Sequence, residues 1–507
     1  MQPRPWHKVW PKGIPHELDS EFEPIHKAIL RDKPPEKCAL IQAEDLTCIT
    51  FKNLKKTTES IASWLQSKGA EKGTQVAFSA RNTIQAIAAL LGSLATGART
   101  VLIDPLTIGE DLAMQLEGRE FTAYIMDSEF YRENKDVIKE AGIRHVLLTD
   151  QTPGEKTGGL EVAGFTEALL ARGYSEPEIG ELDDSIALYY SGIAGRTMQT
   201  IHHHRGLYTS SKALALMAGL SEKDSSLLVA SITHVLGLQL SLLSPLLVGA
   251  TVVAMRRWNK RLAKSLVSEG LATYIAGAPL MHEQLVAEAD EAMHGKLRLG
   301  ISAGAPLKPE TQDQYREKLG APLVQAYGMT ESLVITLQPI HLAHVKGTLG
   351  IPLPSVDVKL VDPEDPGKEL GPGETGELLA KAPWIMKGYE YPEENEKAFV
   401  DGWLRTGDLI HMDEDGLLYF RGVRKRLIKY KAYAILPRDL EIILEKHPAV
   451  ARAIVYGEPD EEVGQKPVAR VWLKKGERVS EEELMEYVNS RVAFYKKIRK
   501  INIEGYL

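Results

Sequence analysis

Two hydrophobic rhythms alternate along most of this chain, one near the helical period and one at the period of two that marks a strand. Residues 53–69 read as an amphipathic helix, Gln75-Val-Ala-Phe-Ser as a strand, and residues 83–97 as another helix. The exchange recurs at Ser185-Ile-Ala-Leu-Tyr-Tyr, residues 207–219, Tyr274-Ile-Ala, residues 311–320 and Leu323-Val-Gln-Ala. Strands alternating with helices predict parallel sheets covered by helices. From about Val356 the rhythm shifts to short strands broken by Pro and Gly, as in Asp362-Pro-Glu-Asp-Pro-Gly, which predicts a β-rich subdomain. Arg421-Gly-Val-Arg-Lys-Arg426 reads as a basic linker, and the residues beyond it carry their own helices (437–446, 480–492) and strands (Ala453-Ile-Val-Tyr, Ala469-Arg-Val-Trp-Leu). The expected fold is α/β: a large N-terminal domain, residues 1–425, of stacked α/β subdomains plus the β-rich one, and a small hinged α+β C-terminal domain, residues 426–507.

With 507 residues and 44% hydrophobic side chains the chain can bury a large core, which excludes a disordered protein. Its 61 Lys+Arg against 69 Asp+Glu give no overall attraction to phosphate backbones, so nucleic acid is not an expected partner. Cys38 and Cys48 provide neither a disulfide framework nor a metal-ligand spacing, and point to a reducing, cytoplasmic setting. The N-terminus has no apolar core of a secretory signal. Residues 235–255 lack charge and are long enough to cross a bilayer, but Gln239, Pro245 and Gly249 interrupt them. A buried helix, a turn and the core strand Thr251-Val-Val-Ala are expected there rather than a transmembrane segment.

Four stretches could carry chemistry. Ser191-Gly-Ile-Ala-Gly-Arg-Thr-Met-Gln-Thr200 follows a strand and could offer N–H groups and hydroxyls to a phosphate, yet it lacks the Gly-Lys-Ser/Thr ending of a Walker loop, and a plain turn is the favoured reading. His202-His203-His204 would put two imidazoles on one face of a strand, but with no acidic or thiol partner nearby in sequence, ordinary histidines are favoured. Tyr327-Gly-Met-Thr-Glu-Ser332 follows a predicted strand, where doubly wound sheets bind ligands. Its Gly permits close backbone approach, its Thr can bond a phosphate and its Glu can hold a divalent cation, although a structural turn explains the same residues. Gly402-Trp-Leu-Arg-Thr-Gly-Asp408 puts an acidic acceptor in a Gly turn, suited to ribose hydroxyls or to an Asx-turn.

Together these pieces resemble the adenylate-forming acyl-CoA synthetase superfamily, the relatives of firefly luciferase and of peptide-synthetase adenylation domains. The resemblance runs from Trp10-Pro-Lys-Gly-Ile-Pro, like the opening of fatty-acyl-CoA ligases, through Thr233-His-Val-Leu-Gly237 and Ser302-Ala-Gly-Ala-Pro306. It continues in Tyr327-Gly-Met-Thr-Glu331, Gly376-Glu-Leu, Lys387-Gly-Tyr, Trp403-Leu-Arg-Thr-Gly-Asp408 and Tyr495-Lys-Lys-Ile-Arg. It implies that a small-molecule carboxylic acid attacks the α-phosphorus of Mg-ATP to give an acyl-adenylate, and that coenzyme A then displaces AMP after the small domain rotates. By this similarity Gly304, Ala305 and Pro306 flank the adenine, Asp408 binds the ribose, and Thr330 contacts the α-phosphate. Glu331 carries Mg2+, His234 sits beside the acyl carboxylate, and Tyr327, Gly328, Ser191, Gly192, Gly195 and Arg196 complete the nucleotide site.

The departures from the family fall where phosphate charge is handled. Ile193 and Ala194 stand on two loop threonines, Met198 on the loop lysine and Gln199 on its last glycine. In the hinge stretch Val423 replaces an Arg and Arg426 an Asp, and Ala432 replaces the Gly of the following loop. The sequence stops at Tyr506-Leu507, before the segment that supplies the family's adenylation lysine. Each lost donor to transition-state charge costs about 10² to 10³ in rate, so activity requires substitutes, for which Arg196, Arg424 and Arg426 are the candidates. Three readings follow: an AMP-forming, fatty-acid-like CoA ligase with a degenerate phosphate loop, an acyl- or nucleotide-binding pseudoenzyme, and an acyl transferase that no longer uses ATP.

Overall fold

The computed structural model describes residues 4–507 apart from residues 20, 151–155, 158–159, 192–196, 364, 424–427, 432 and 436. Two nine-stranded sheets form the large domain. In one, the parallel strands Arg99–Leu102, Gln75–Ser79, Ala123–Met126 and His145–Leu148 lie side by side; in the other, Leu299–Ser302, Tyr274–Gly277, Ser225–Leu228 and Thr251–Ala254 do. Such strands are short and apolar because helices cover both faces. Ala123–Met126 and Tyr274–Gly277 are buried at every position. Helix Ile84–Ala95 is buried at every residue but Gln85, as an all-round apolar helix must be. Gly92 lets it close on helix Phe51–Ser67, because a Cβ there would sit 2.7 Å from Ile61 Cγ2.

A six-stranded antiparallel sheet follows, built around Asp357–Val361, Thr375–Lys381 and Trp403–Met412. The smaller C-terminal domain has a five-stranded sheet and the helices Pro437–Glu445 and Glu481–Asn489. Its side chains form their own apolar cluster from Ile428 to Ile501, against which Leu106 and Met114 of the large domain pack.

Residues 235–255 are a π-type helix, Leu236–Leu243, continuing into Ser244–Leu247, then a turn and the strand Thr251–Ala254. Among the described residues no helix is long and apolar enough to cross a membrane. Two expectations change and one alternative drops out. Arg421, Gly422 and Val423 are not linker but the end of strand Leu418–Val423, with Val423 opposite Asp408; their charge reflects a solvated antiparallel strand. Arg424 and Arg426 lie outside the described residues. The cysteines are joined: Cys38 and Cys48 sit on adjacent antiparallel strands, Cα–Cα 5.8 Å, and form a disulfide, which removes the support they lent to a reducing compartment. Finally, strand Thr197–His203 breaks register at His202/His203 and His204 opens a helix, so the histidines do not share a strand face.

Candidate active site

The carboxyl ends of the large domain's strands and the facing wall of the small domain enclose a cavity of about 1230 Å³. Strand Leu323–Met329 runs further than expected and brings Tyr327 and Gly328 to the cavity while still in the sheet. A Cβ on Gly328 would lie 2.0 Å from the carbonyl of Leu333, so only glycine permits the tight return that presents Thr330 at the tip. His202 Nε2 donates to the Thr330 carbonyl at 2.8 Å and fixes that tip from behind. Burial pushes the His202 imidazole down to about 4, so it stays neutral.

Strand Leu299–Ser302 ends in Ala303, Gly304, Ala305 and Pro306, all in the cavity wall, with Gly304 at φ +85°. Asp408 comes from mid-strand Trp403–Met412 and not from an Asx-turn. Its Oδ2 accepts the Tyr327 hydroxyl at 2.7 Å, and burial, reinforced by that carboxylate, holds the phenol far above its ordinary range. One cavity therefore holds Gly304, Ala305, Pro306, Tyr327, Gly328, Thr330, Asp408 and His234.

Glu331 does not join them. It is buried outside the cavity lining, and its Oε1 accepts the Tyr389 hydroxyl at 2.6 Å. Among the described residues no group of three acidic, histidine or cysteine side chains could hold a metal. A cation cage of three such protein side chains is therefore not built among the described residues.

The candidate phosphate loop is only partly visible. Gly192, Ile193, Ala194, Gly195 and Arg196 lie outside the described residues, and Ser191 ends the strand Asp184–Ser191. Beyond it Thr197 lines the cavity, whereas Met198 is wholly buried among Met386, Tyr389, Ala398 and Leu404. Alternation along the strand explains both facts. Gln199 is also buried, its N–H donating to Glu390 Oε1 at 2.8 Å.

Several partners of the site groups are not legible in the sequence. His234 Nε2 is 2.6 Å from Asp104 Oδ2, and its ring meets Tyr433 of the small domain edge-on at 5.9 Å. Tyr433 stacks on Tyr495 at 4.0 Å. Lys429 and Lys431 add cations to the cavity wall. Lys496 Nζ lies 2.8 Å from Asp111 Oδ1 on the large domain and 3.4 Å from Asp439 Oδ2, while Thr197 Oγ1 donates to Asp439 Oδ1 at 3.0 Å. Burial raises the Asp439 carboxyl; it opposes charge on Lys496 too, but the two carboxylates more than reverse that and hold the ammonium on. Asp104-Pro105 follows the buried strand Arg99–Leu102, so the strand-end rule applied to Tyr327 also points to it.

The sequence matches the AMP-binding enzyme family over residues 28–390, and the AMP-binding enzyme C-terminal domain over residues 439–504. The chain belongs to the AMP-binding enzymes. This AMP-binding enzyme is 32% identical over 480 residues to the 4-coumarate–CoA ligase-like 4 of Oryza sativa subsp. japonica, covering 91% of this chain and 86% of that one. It is 28% identical over 535 residues to a long-chain-fatty-acid–CoA ligase of Yersinia pestis, covering 97% and 93%. Its fold matches an o-succinylbenzoate CoA synthetase of Bacillus subtilis with a TM-score of 0.81 at 27% identity, over 95% of this chain and 94% of that one. The family's acyl-CoA synthetases are thus this enzyme's relatives in sequence and in fold.

Proposed function

We propose that this AMP-binding enzyme is an AMP-forming carboxylic acid:CoA ligase acting on a fatty-acid-like acid. The observation that carries the reading is the meeting, in one cavity, of the Tyr327–Asp408 pair, Thr330 and His234 with an apolar wall of Val235, Leu236, Leu240 and Val334. The polar side suits an adenosine monophosphate: Gly304 and Ala305 present backbone to the base, Asp408 accepts from ribose hydroxyls while Tyr327 fixes its orientation, and Thr330 donates to the α-phosphate. The apolar side suits an aliphatic chain whose carboxylate reaches the phosphate beside His234. When the acid attacks, a C–O–P bond forms and pyrophosphate leaves; when the thiol attacks, a C–S bond forms and AMP leaves.

The phosphate loop reads as degenerate, since Met198 faces apolar side chains and brings no charge to the cavity. Lys429 and Lys431, on the small-domain wall, are available to answer phosphate charge, and any magnesium belongs with the nucleotide's own phosphates. Pyrophosphate release measured with a panel of carboxylic acids tests the reading. Release that depends on aliphatic acids supports it. Silence across the panel, with AMP still bound in calorimetric titration, replaces it with a binding protein.

A further inference from the structure

Asp104 is the second residue of the loop after strand Arg99–Leu102 and is almost fully buried. Both of its oxygens are committed. Oδ1 accepts the Leu106 N–H at 2.8 Å, which fixes the carboxylate plane, and Oδ2 is aimed at His234 Nε2 at 2.6 Å. The imidazole is not buried with it: 43% of the His234 side chain is exposed, and the residue lines the cavity. Because a carboxylate only accepts, Nε2 carries a ring proton, and in the neutral ring this leaves the lone pair on Nδ1. Among the described residues nothing bonds Nδ1. The remaining wall around the ring is aromatic, with Tyr433 edge-on and Tyr495 behind it. Burial holds both phenols above their ordinary range, with Asp104 adding to the effect, so neither competes as a base near neutrality.

We propose that Asp104 and His234 act as a carboxylate–imidazole pair that removes the proton from the thiol in the acyl-transfer step, with His234 the base and Asp104 its positioning residue. The inference rests on the ligase reading and adds to it the group that generates the nucleophile. In the step, the Nδ1 lone pair takes the S–H proton and sulfur bonds to the acyl carbon. The bond from that carbon to the phosphate oxygen breaks, its electron pair leaves with AMP, and Asp104 stabilises the imidazolium until the proton passes to solvent.

The experiment supplies the full-length protein with chemically prepared octanoyl-adenylate, so that adenylation is bypassed, and follows AMP release with coenzyme A or with thiophenol as acceptor. Alkyl thiols need a base at pH 8, whereas thiophenol is already ionised. Expected with coenzyme A is a loss of about 10²-fold for H234Q and at least tenfold for D104N, both shrinking to within about threefold with thiophenol. D104E retains part of the rate. Equal losses with both acceptors, or none in either variant, overturn the pair while leaving the ligase reading intact. A wild-type protein that transfers to neither acceptor overturns the ligase reading and the pair together. H234Q alters a half-exposed ring, so its result stands even where D104N unfolds, and circular dichroism identifies that case.

Discussion

Replacing Lys496 with methionine removes the one ammonium shared by Asp111 and Asp439. The side chains of the three residues are only 7%, 1% and 2% exposed, which places the contact in the buried regime and not with surface ion pairs. Breaking a buried pair by deleting one partner costs about 3 to 5 kcal/mol, because the surviving charges are stranded. Asp111 Oδ2 already lacks a hydrogen-bond partner among the described residues, so nothing nearby takes up the load. The small domain has its own apolar cluster, and the loss therefore falls on its docking against the large domain more than on its folding. Urea unfolding followed by tryptophan fluorescence, with limited proteolysis between the domains, measures it. The deficit carries a pH signature. Stranded carboxylates hold protons more tightly than in the unfolded chain, so K496M regains stability as pH falls toward the ordinary carboxylate range near 4 and loses it as pH rises. The triple variant K496M/D111N/D439N, with every charge removed, recovers most of the loss. A K496M protein as stable and as protease-resistant as wild type at pH 8 refutes the reasoning.

Tyr327→Phe leaves Asp408 without its hydroxyl donor, and calorimetric titration should show AMP bound about tenfold more weakly. Met198→Lys, which the resemblance to the family suggests as a repair, instead puts a charge into an apolar cluster; it should lower the thermal midpoint without tightening ATP, and tighter ATP binding would contradict the burial argument. His26, His202 and His204 are buried and depressed to about 4, 4 and 3, whereas in the unfolded chain they titrate near 6.5. Unfolding takes up protons at acid pH, so stability declines as pH drops below about 6.5 and keeps declining toward 3, a slope that thermal melts between pH 7.5 and 4.5 should resolve.

Tyr327, Thr330 and Asp408 were legible in the sequence because each lies in a short run whose glycines and strand context speak locally. The partners of His234 and Lys496 were not, because those bonds span 130 and 385 residues and exist only once two sheets and the small domain meet. Glu331 is placed by tertiary structure instead. Its neighbour Thr330 faces the cavity, but a tight return sends the next side chain to Tyr389, and no local pattern reports which way a hairpin tip turns. The disulfide depends on a register shift: Cys38 pairs with Thr50 and Cys48 with Ile41 in the ladder, yet their Cα atoms come within 5.8 Å, a closeness that cysteine counting does not report. The alternating helices and strands of the large domain were readable because parallel strands are apolar throughout, whereas Arg421-Gly-Val, half solvated at a sheet edge, looked like linker.

The cavity is walled on one side by residues such as Thr330 and His234 and on the other by Lys431 and Tyr433, so no ligand can fill it without reading the position of the small domain. Its occupancy and the domain arrangement are therefore a single equilibrium. The affinity that a titration returns is the intrinsic one divided by the fraction of molecules already arranged to bind. A substitution at Asp111, which pairs with Lys496 from outside the cavity lining, that lowered this fraction to about one-tenth would weaken every such ligand about tenfold, alike for acid, nucleotide and thiol. Uniform loss across chemically unrelated ligands is the mark by which such variants are told from lesions in the pocket itself.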